Sequence, residues 1–392
     1  METGFRQYDG CWQDNAQLAW DAVALRPARG IATWQVLVMD IPLIERLGGH
    51  ASGDYRRDPH TVYLDFQRAI GACFIDQYLA ENPLTMTDRG YASSTARTAT
   101  TGLEAAQIVL DGIPIDSPEA VAEHLERFVW PDLRRQIAEL DATPIDSAAA
   151  KLVAGEVAMQ ERFGLNMLKV PYDGWFGAFP KLRYYRYGYA NYFMAYALFP
   201  ELMERDFALQ ADLAARQTAI AARAIVAGGL PRIVRLDHDM ADGRGTLVDI
   251  RSLGAIWFPH FARSIKPLLD AGVRLIWHCD GNLMAMVPRL IEAGVGGFQG
   301  FQYEFGMDYP AICRMKTRDG GPLAIWAGSS VTTSLPLGTP DDVARELDWL
   351  VENGPAEGLV LGASSSVVPG TPHANIERLI EGLHYYRQRG RK

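Results

Sequence analysis

Through the second half of the chain, apolar runs of strand length alternate with longer amphipathic segments. IVRLD (233–237) reads as a strand, and a helix through SIKPLLDAG follows it. RLIWHCD (274–280) precedes the helical LMAMVPRLIEAG (283–294), and GGFQGFQ (296–302) precedes the helical YPAICRMK (309–316). LAIWAG (323–328) leads to PDDVARELDWLVENG (340–354), and GLVLGAS (358–364) leads to PHANIERLIEGLHYYRQ (372–388). Strand and helix units in strict alternation predict a parallel sheet with helices outside it. The punctuation agrees. Thr339-Pro340-Asp341-Asp342 offers an N-cap, a first-turn proline and early acids, Thr371-Pro372 repeats the device, and Gly272, Gly294 and Gly354 fall where helices should stop.

The first half is less regular. MLKVPYDGWFGAF (167–179) and GACFIDQYL (71–79) each hold a possible strand, and 191–228 is strongly helical. The expected architecture is a (β/α)8 TIM barrel formed as a single domain by residues 61–392, preceded by a partly helical extension over 1–60. A doubly wound open sheet competes with it, but no GxGxxG follows any candidate strand.

In such a barrel the site lies at the C-terminal ends of the strands. Here they finish in Asp237-His238-Asp239, His278-Cys279-Asp280-Gly281-Asn282, Gln302-Tyr303-Glu304, Gly328-Ser329-Ser330 and Ser364-Ser365-Ser366. Turn chemistry favours Gly, Pro, Asn, Asp and Ser, and does not account for His and Glu in step with strand ends. Side chains alternate faces along a strand, so His278 pairs with Asp280 and Cys279 opposes them. Asp237 likewise pairs with Asp239 against His238, and Gln302 with Glu304 against Tyr303. Two chemistries follow from such a pocket. One is a divalent metal held by oxygen and nitrogen ligands, drawn from His278, Asp280, Glu304 and His238. The other is acid/base work by His278, Asp280, Glu304 and Asp239, with carboxylates crowding one another. Hydrogen bonding at the rim without chemistry is the bland alternative. His278-x-Asp280 with His373 or His384 also matches the iron-binding two-histidine, one-carboxylate pattern.

Substrate contacts are expected from Asn282, Gln302 and the serines Ser364, Ser365 and Ser366, which precede a helix start able to favour an anion. Arg235 is a candidate carboxylate holder, Arg235 and Arg251 are candidates to face the site, and Asp76 is a further site candidate if GACFIDQYL holds the first barrel strand. The aromatic stretch LRYYRYGYANYFMAYALF (182–199) reads as core, dimer contact or lid.

Composition narrows the partners. A formal net charge of −9 argues against nucleic acid, despite the local basic run KLRYYR (181–186). Four scattered cysteines without a CxxC fit a reduced, cytoplasmic protein, and neither a signal peptide nor a membrane-spanning apolar run is expected.

Three stretches resemble the uroporphyrinogen decarboxylase superfamily, which includes corrinoid-linked methyltransferases. They are RLIWHCDGNLMAMVPRLIEAGVGGFQGFQ, LPLGTPDDVARELDWLVENG and GLVLGASSSVVPGTPHANIERLIEGL, roughly the last third of the chain. The resemblance implies a barrel fold. Relatives that bind zinc through His-x-Cys and a later cysteine have their first cysteine where Asp280 stands and their second near Ser365, which points away from a thiolate-rich site. No Arg-Gln-Ala-Gly-Arg motif of the decarboxylases is present. The His-x-Asp-Gly-Asn branch resembles demethylating methyltransferases. The implied activity is metal- or acid-assisted methyl transfer from a methylated small molecule, with a corrinoid protein as the implied acceptor and zinc as the first-choice metal. Decarboxylation or other lyase chemistry on a small carboxylic acid, and small-molecule binding without catalysis, are the alternatives. A homodimer is a further expectation.

Overall fold

The computed structural model describes residues 4–81 and 108–391. Eight parallel segments are labelled β1 to β8 in chain order. They are β1 (Ala32–Thr33), β2 (Phe74–Ile75), β3 (Leu168–Lys169), β4 (Ile233–Asp237), β5 (Arg274–His278), β6 (Gly297–Gln299), β7 (Ala324–Ser329) and β8 (Leu359–Ala363). Six form one parallel sheet in the order β1-β8-β7-β6-β5-β4, and β2 and β3 form a second parallel pair. Single parallel bridges join the two sheets at both edges, Trp34 to Phe74 and Tyr172 to Arg235. Strand β1 lies within 1–60, the stretch expected as an extension, and pairs Ala32 with Val360 and Thr33 with Leu361.

The strand–helix alternation of the second half is present, because each strand is buried along nearly its whole length and must be covered on both faces. Trp277 shows the outer face: its ring packs on Phe179 at 5.1 Å and Phe261 at 5.5 Å, the latter from the helix Phe258–Asp270. The 29-residue helix Pro200–Gly228 begins on a first-turn proline and packs along Phe258–Asp270, where Thr218 Oγ1 donates to the Ser264 carbonyl at 2.7 Å. Thr339 and Asp342 form the reciprocal capping box of the helix Pro340–Asn353. No helix among the described residues is long and apolar enough to cross a membrane.

Three local expectations need correcting. Strand β6 stops at Gln299, and Tyr303–Phe305 is a 3-10 turn, so residues 302–304 do not alternate as a strand would. The helix expected from 283 begins at Val287, since Leu283 and Met286 close a turn first. Thr371 does not cap the last helix: its hydroxyl donates to the Val368 carbonyl, and the helix starts at His373 after Pro372.

The seam between the two sheets is held by Arg235, only 1% exposed on β4. Its Nε donates to Asp76 Oδ2 at 2.7 Å, one terminal nitrogen to Asp237 Oδ2 at 2.6 Å and the other to Gln77 Oε1 at 2.9 Å. The guanidinium also lies over the rings of Trp34 at 5.2 Å and Tyr172 at 4.8 Å. Residues on or beside β1, β2, β3 and β4 therefore meet at one cation. Removing one partner of a buried ion pair leaves the other charge uncompensated, at a cost of about 3–5 kcal/mol. Arg235→Met is expected to lower stability by that amount in urea unfolding, and Asp76→Asn added to it is expected to recover part of the loss. An Arg235→Met protein as stable as the parent would show that the seam does not depend on this cation.

Candidate active site

The C-terminal ends of β4 and β5 are in register, Asp237 opposite His278, and the chain continues from each into further acids. Asp239, His278 and Asp280 each offer a ligand atom, and these atoms all lie within 4.8 Å of one another. Alternation explains the convergence. Trp277 faces the outer helices, His278 the interior, Cys279 turns away, and Asp280 returns.

Cys279 is fixed in the opposed position: its sulfur accepts the Met240 amide at 3.2 Å, and its thiol donates to the Asp280 carbonyl at 2.9 Å. Burial first, and Asp239 second, push its pKa well above the ordinary thiol value. The turn that follows needs glycine. Gly281 has φ +86°, and a Cβ there would sit 2.6 Å from the Asp242 carbonyl oxygen.

The triad has open valences. Asp280 Oδ2 accepts the Ser365 hydroxyl at 3.1 Å, and the Asp280 amide donates to Asp239 Oδ1 at 2.8 Å. Asp280 Oδ1 and His278 Nδ1 are buried without a hydrogen-bond partner among the described residues. Gly300 (φ +75°) backs the imidazole, and a Cβ there would come within 2.8 Å of His278 Nδ1. Burial pushes the Asp280 pKa up to about 6; His278 pulls it down and Asp239 pushes it up. Burial disfavours the imidazolium of His278, but Asp237, Asp280 and Asp239 together outweigh it and raise its pKa. Asp237 is itself held well below the usual carboxylate range. Burial works against that, and His278, Arg235 and the Tyr172 hydroxyl at 2.9 Å overcome it.

Other expected residues lie elsewhere. His238 Nε2 accepts the Leu182 amide at 2.9 Å, so that nitrogen is committed to the chain, and burial, reinforced by Lys181, pushes the ring's pKa down to about 3. The ring stacks on Tyr184 and is outside the triad, so His238, expected among the metal ligands, is not one of the residues the geometry brings together. Glu304 accepts hydroxyls from Ser330 at 3.0 Å and from Thr332, one loop further round the rim, and it too is outside the triad. Gln302 braces the site by accepting the Gly281 amide, and Asn282 turns its side-chain oxygen to the Met284 amide. Ser364 accepts the Val331 amide, Ser366 is buried, and among the three serines only Ser365 reaches the triad.

Arg235 is not an open carboxylate holder, since its bonds run to Asp76, Asp237 and Gln77. Arg251 is exposed and paired with Asp249, away from the rim's interior. His384 bonds the Ala69 carbonyl and Arg387, and neither it nor His373 joins His278 and Asp280.

Two groups escaped the reading of strand ends. Asp173 lies just beyond the Tyr172 bridge that follows β3 and is fully buried, and no hydrogen bond among the described residues reaches either of its side-chain oxygens. Lys181 Nζ lies 3.4 Å from it and donates to the Asp237 carbonyl at 3.1 Å. The segment MLKVPYDGWFGAF had the strand signal. Applying the strand-end rule to it would have found Asp173.

Acidic and imidazole groups gathered at the C-terminal ends of parallel strands define an α/β protein with an active-site-like rim. No family model matches the chain, and no curated protein matches it by sequence. Among solved structures it is similar to a methyltransferase from Methanosarcina mazei, with a TM-score of 0.53 at 13% identity, covering 95% of this chain and 99% of that one. That likeness is one of fold.

Burial raises the Asp173 pKa to about 7, with Lys181 opposing and Asp237 adding to the rise. The folded state therefore binds a proton more tightly than the unfolded chain does. That contribution favours the fold at low pH and is lost as pH rises from about 4 through about 7. Asp173→Asn is expected to flatten the decline in urea midpoint between pH 5 and pH 8. An unchanged decline would mean that Asp173 titrates normally.

Proposed function

We propose that the chain is a uroporphyrinogen-decarboxylase-like enzyme of the His-x-Asp-Gly-Asn kind, in which the eight parallel segments close into one barrel domain. It acts on a small substrate by methyl transfer. Asp239, His278 and Asp280, with ligand atoms within 4.8 Å of one another, carry this reading. The likeness in fold to a methyltransferase over nearly the whole chain supports it.

The donor set suits a divalent cation. Two carboxylates and an imidazole match zinc, manganese or iron, and buried Asp280 Oδ1, which has no hydrogen-bond partner among the described residues, is the kind of atom a ligand would satisfy. Zinc is the first choice, with Asp280 standing where relatives place a thiolate. A bound divalent ion would supply Lewis-acid polarisation of the heteroatom that carries the methyl group. The chain's own residues do the rest. Ser365 and the Asp280 amide orient the two carboxylates, the negative charge of Asp237 favours a cation at His278, and Gln302 fixes the turn at Gly281. A corrinoid protein is the proposed methyl acceptor. For decarboxylation of a small acid, one of the two expected carboxylate holders, the serine loop and Arg235, is taken: Arg235 is committed to Asp76, Asp237 and Gln77.

Metal content decides the first part. The purified protein is expected to carry about one divalent ion per chain, and Asp280→Asn is expected to weaken its binding by at least about tenfold. Cys279→Ala should leave the metal content unchanged. Metal-free protein that retains no zinc, manganese or iron after equilibration would remove the metal from this reading. For the second part, mass spectrometry should detect demethylated product when methylated ethers, thioethers and amines are supplied with reduced corrinoid or thiol. No demethylation from any of them would count against methyl transfer.

A further inference from the structure

Asp173 and Lys181 stand beside the triad and are unused by the chemistry proposed above. We propose that Lys181 anchors an anionic group of the small-molecule ligand, and that Asp173 is the counter-ion it gives up on binding. This rests on the rim being a ligand site, and it does not depend on methyl transfer being the reaction.

Lys181 is unusually well placed and loosely held. Of its three N–H donors, one reaches the Asp237 carbonyl at 3.1 Å. The ion pair with Asp173 is 3.4 Å long, beyond the roughly 2.7–2.9 Å of a strong charge-assisted bond. The side chain keeps 30% exposure, while Asp173 behind it has none. The backbone around it is clamped from several sides. Gln210 Oε1 takes the Lys181 amide at 2.9 Å, Trp257 Nε1 donates to the Pro180 carbonyl at 2.9 Å, and His238 takes the Leu182 amide. These clamps position the ammonium before any ligand arrives.

Other cations near the rim are committed. Arg235 is buried under Asp76, Asp237 and Gln77, Arg183 is paired with buried Asp206 at 2.9 Å, and Arg244 is held by Asp242 at 2.8 Å. Among these, Lys181 combines partial exposure with a partner that makes no hydrogen bond.

Asp173 is the displaceable side of the pair. The charged groups that act on it are Lys181, Asp237 and Arg235, and Tyr172 precedes it with its hydroxyl on Asp237. Among the described residues the Lys181 ammonium compensates its charge most, and Arg235 compensates it less. When a ligand anion takes the ammonium, Asp173 takes a proton and its burial cost disappears, so anion binding couples to proton uptake. A divalent ion on the triad would offset the charges of Asp239 and Asp280.

The test uses the full chain, isothermal calorimetry, and benzoate beside its uncharged isostere benzamide. Benzoate is expected to bind at least about tenfold more tightly at pH 6. Its affinity is expected to fall about tenfold per pH unit above about 7, where protonating Asp173 becomes unfavourable. Asp173→Asn should abolish that slope and bind benzoate about tenfold more tightly than the parent at pH 8. A merely structural aspartate would not give this tightening. Lys181→Met should lose the preference for benzoate, and Lys181→Arg should keep it if charge is what matters. Thermal unfolding checks that each variant is folded. No benzoate binding by the parent or by Asp173→Asn at pH 6 would overturn the proposal. So would an Asp173→Asn protein that binds no more tightly than the parent, or a folded Lys181→Met protein that keeps the preference. A chain that passes these tests but transfers no methyl would retain the anchor and lose the reaction proposed above.

Discussion

The buried guanidinium of Arg235 is the interaction on which the rest depends. Regular ladder pairing thins to single bridges where β1 meets β2 and where β3 meets β4. At that seam the backbone supplies few hydrogen bonds, and a planar cation with several donors supplies them from a side chain instead. It ties Asp76 and Gln77 beyond β2 to Asp237 at the end of β4, and lies on the rings of Trp34 and Tyr172. The same contact sets the electrostatics of the rim. His278 first and Arg235 second hold Asp237 ionised, and the Asp237 charge raises His278 against the opposing charge of Arg235. A residue that looked like a substrate holder is a keystone one step behind the site.

The second half of the fold was legible because each of its strands is a run of apolar and β-branched residues bounded by real helix signals. Thr339 and Asp342 form the cap their spacing suggests. The pairing of His278 with Asp280 against Cys279 was legible too, since alternation is a property of the backbone and needs no tertiary information. The first half resisted because β1, β2 and β3 are two-residue strands. Their length leaves no periodicity to count, and one of them sits inside what reads as an irregular leader.

The misreadings at the rim share a physical origin. Strand alternation was extended past the point where each strand stops. Beyond Gln299 the chain enters a 3-10 turn, and Glu304 swings to the hydroxyls of Ser330 and Thr332. His238 has the right composition for a ligand but caps a backbone amide 56 residues away in sequence, a relation that no local pattern contains. Buried polar side chains seek partners wherever the fold brings them, and a strand end fixes direction only for a residue or two.

The contact between Gly300 and His278 has a consequence for recognition. The imidazole plane is set by shape, because the bare α-carbon at 300 leaves room for the ring and little beyond it. Among the described residues no hydrogen-bond partner at Nδ1 holds or refuses a proton to set the tautomer. In many sites a carboxylate or carbonyl behind the ring makes that choice in advance. Here orientation is inherited from the backbone while the proton's location is left to the visitor, so one rigid ring can present either a lone pair or an N–H to whatever occupies the rim.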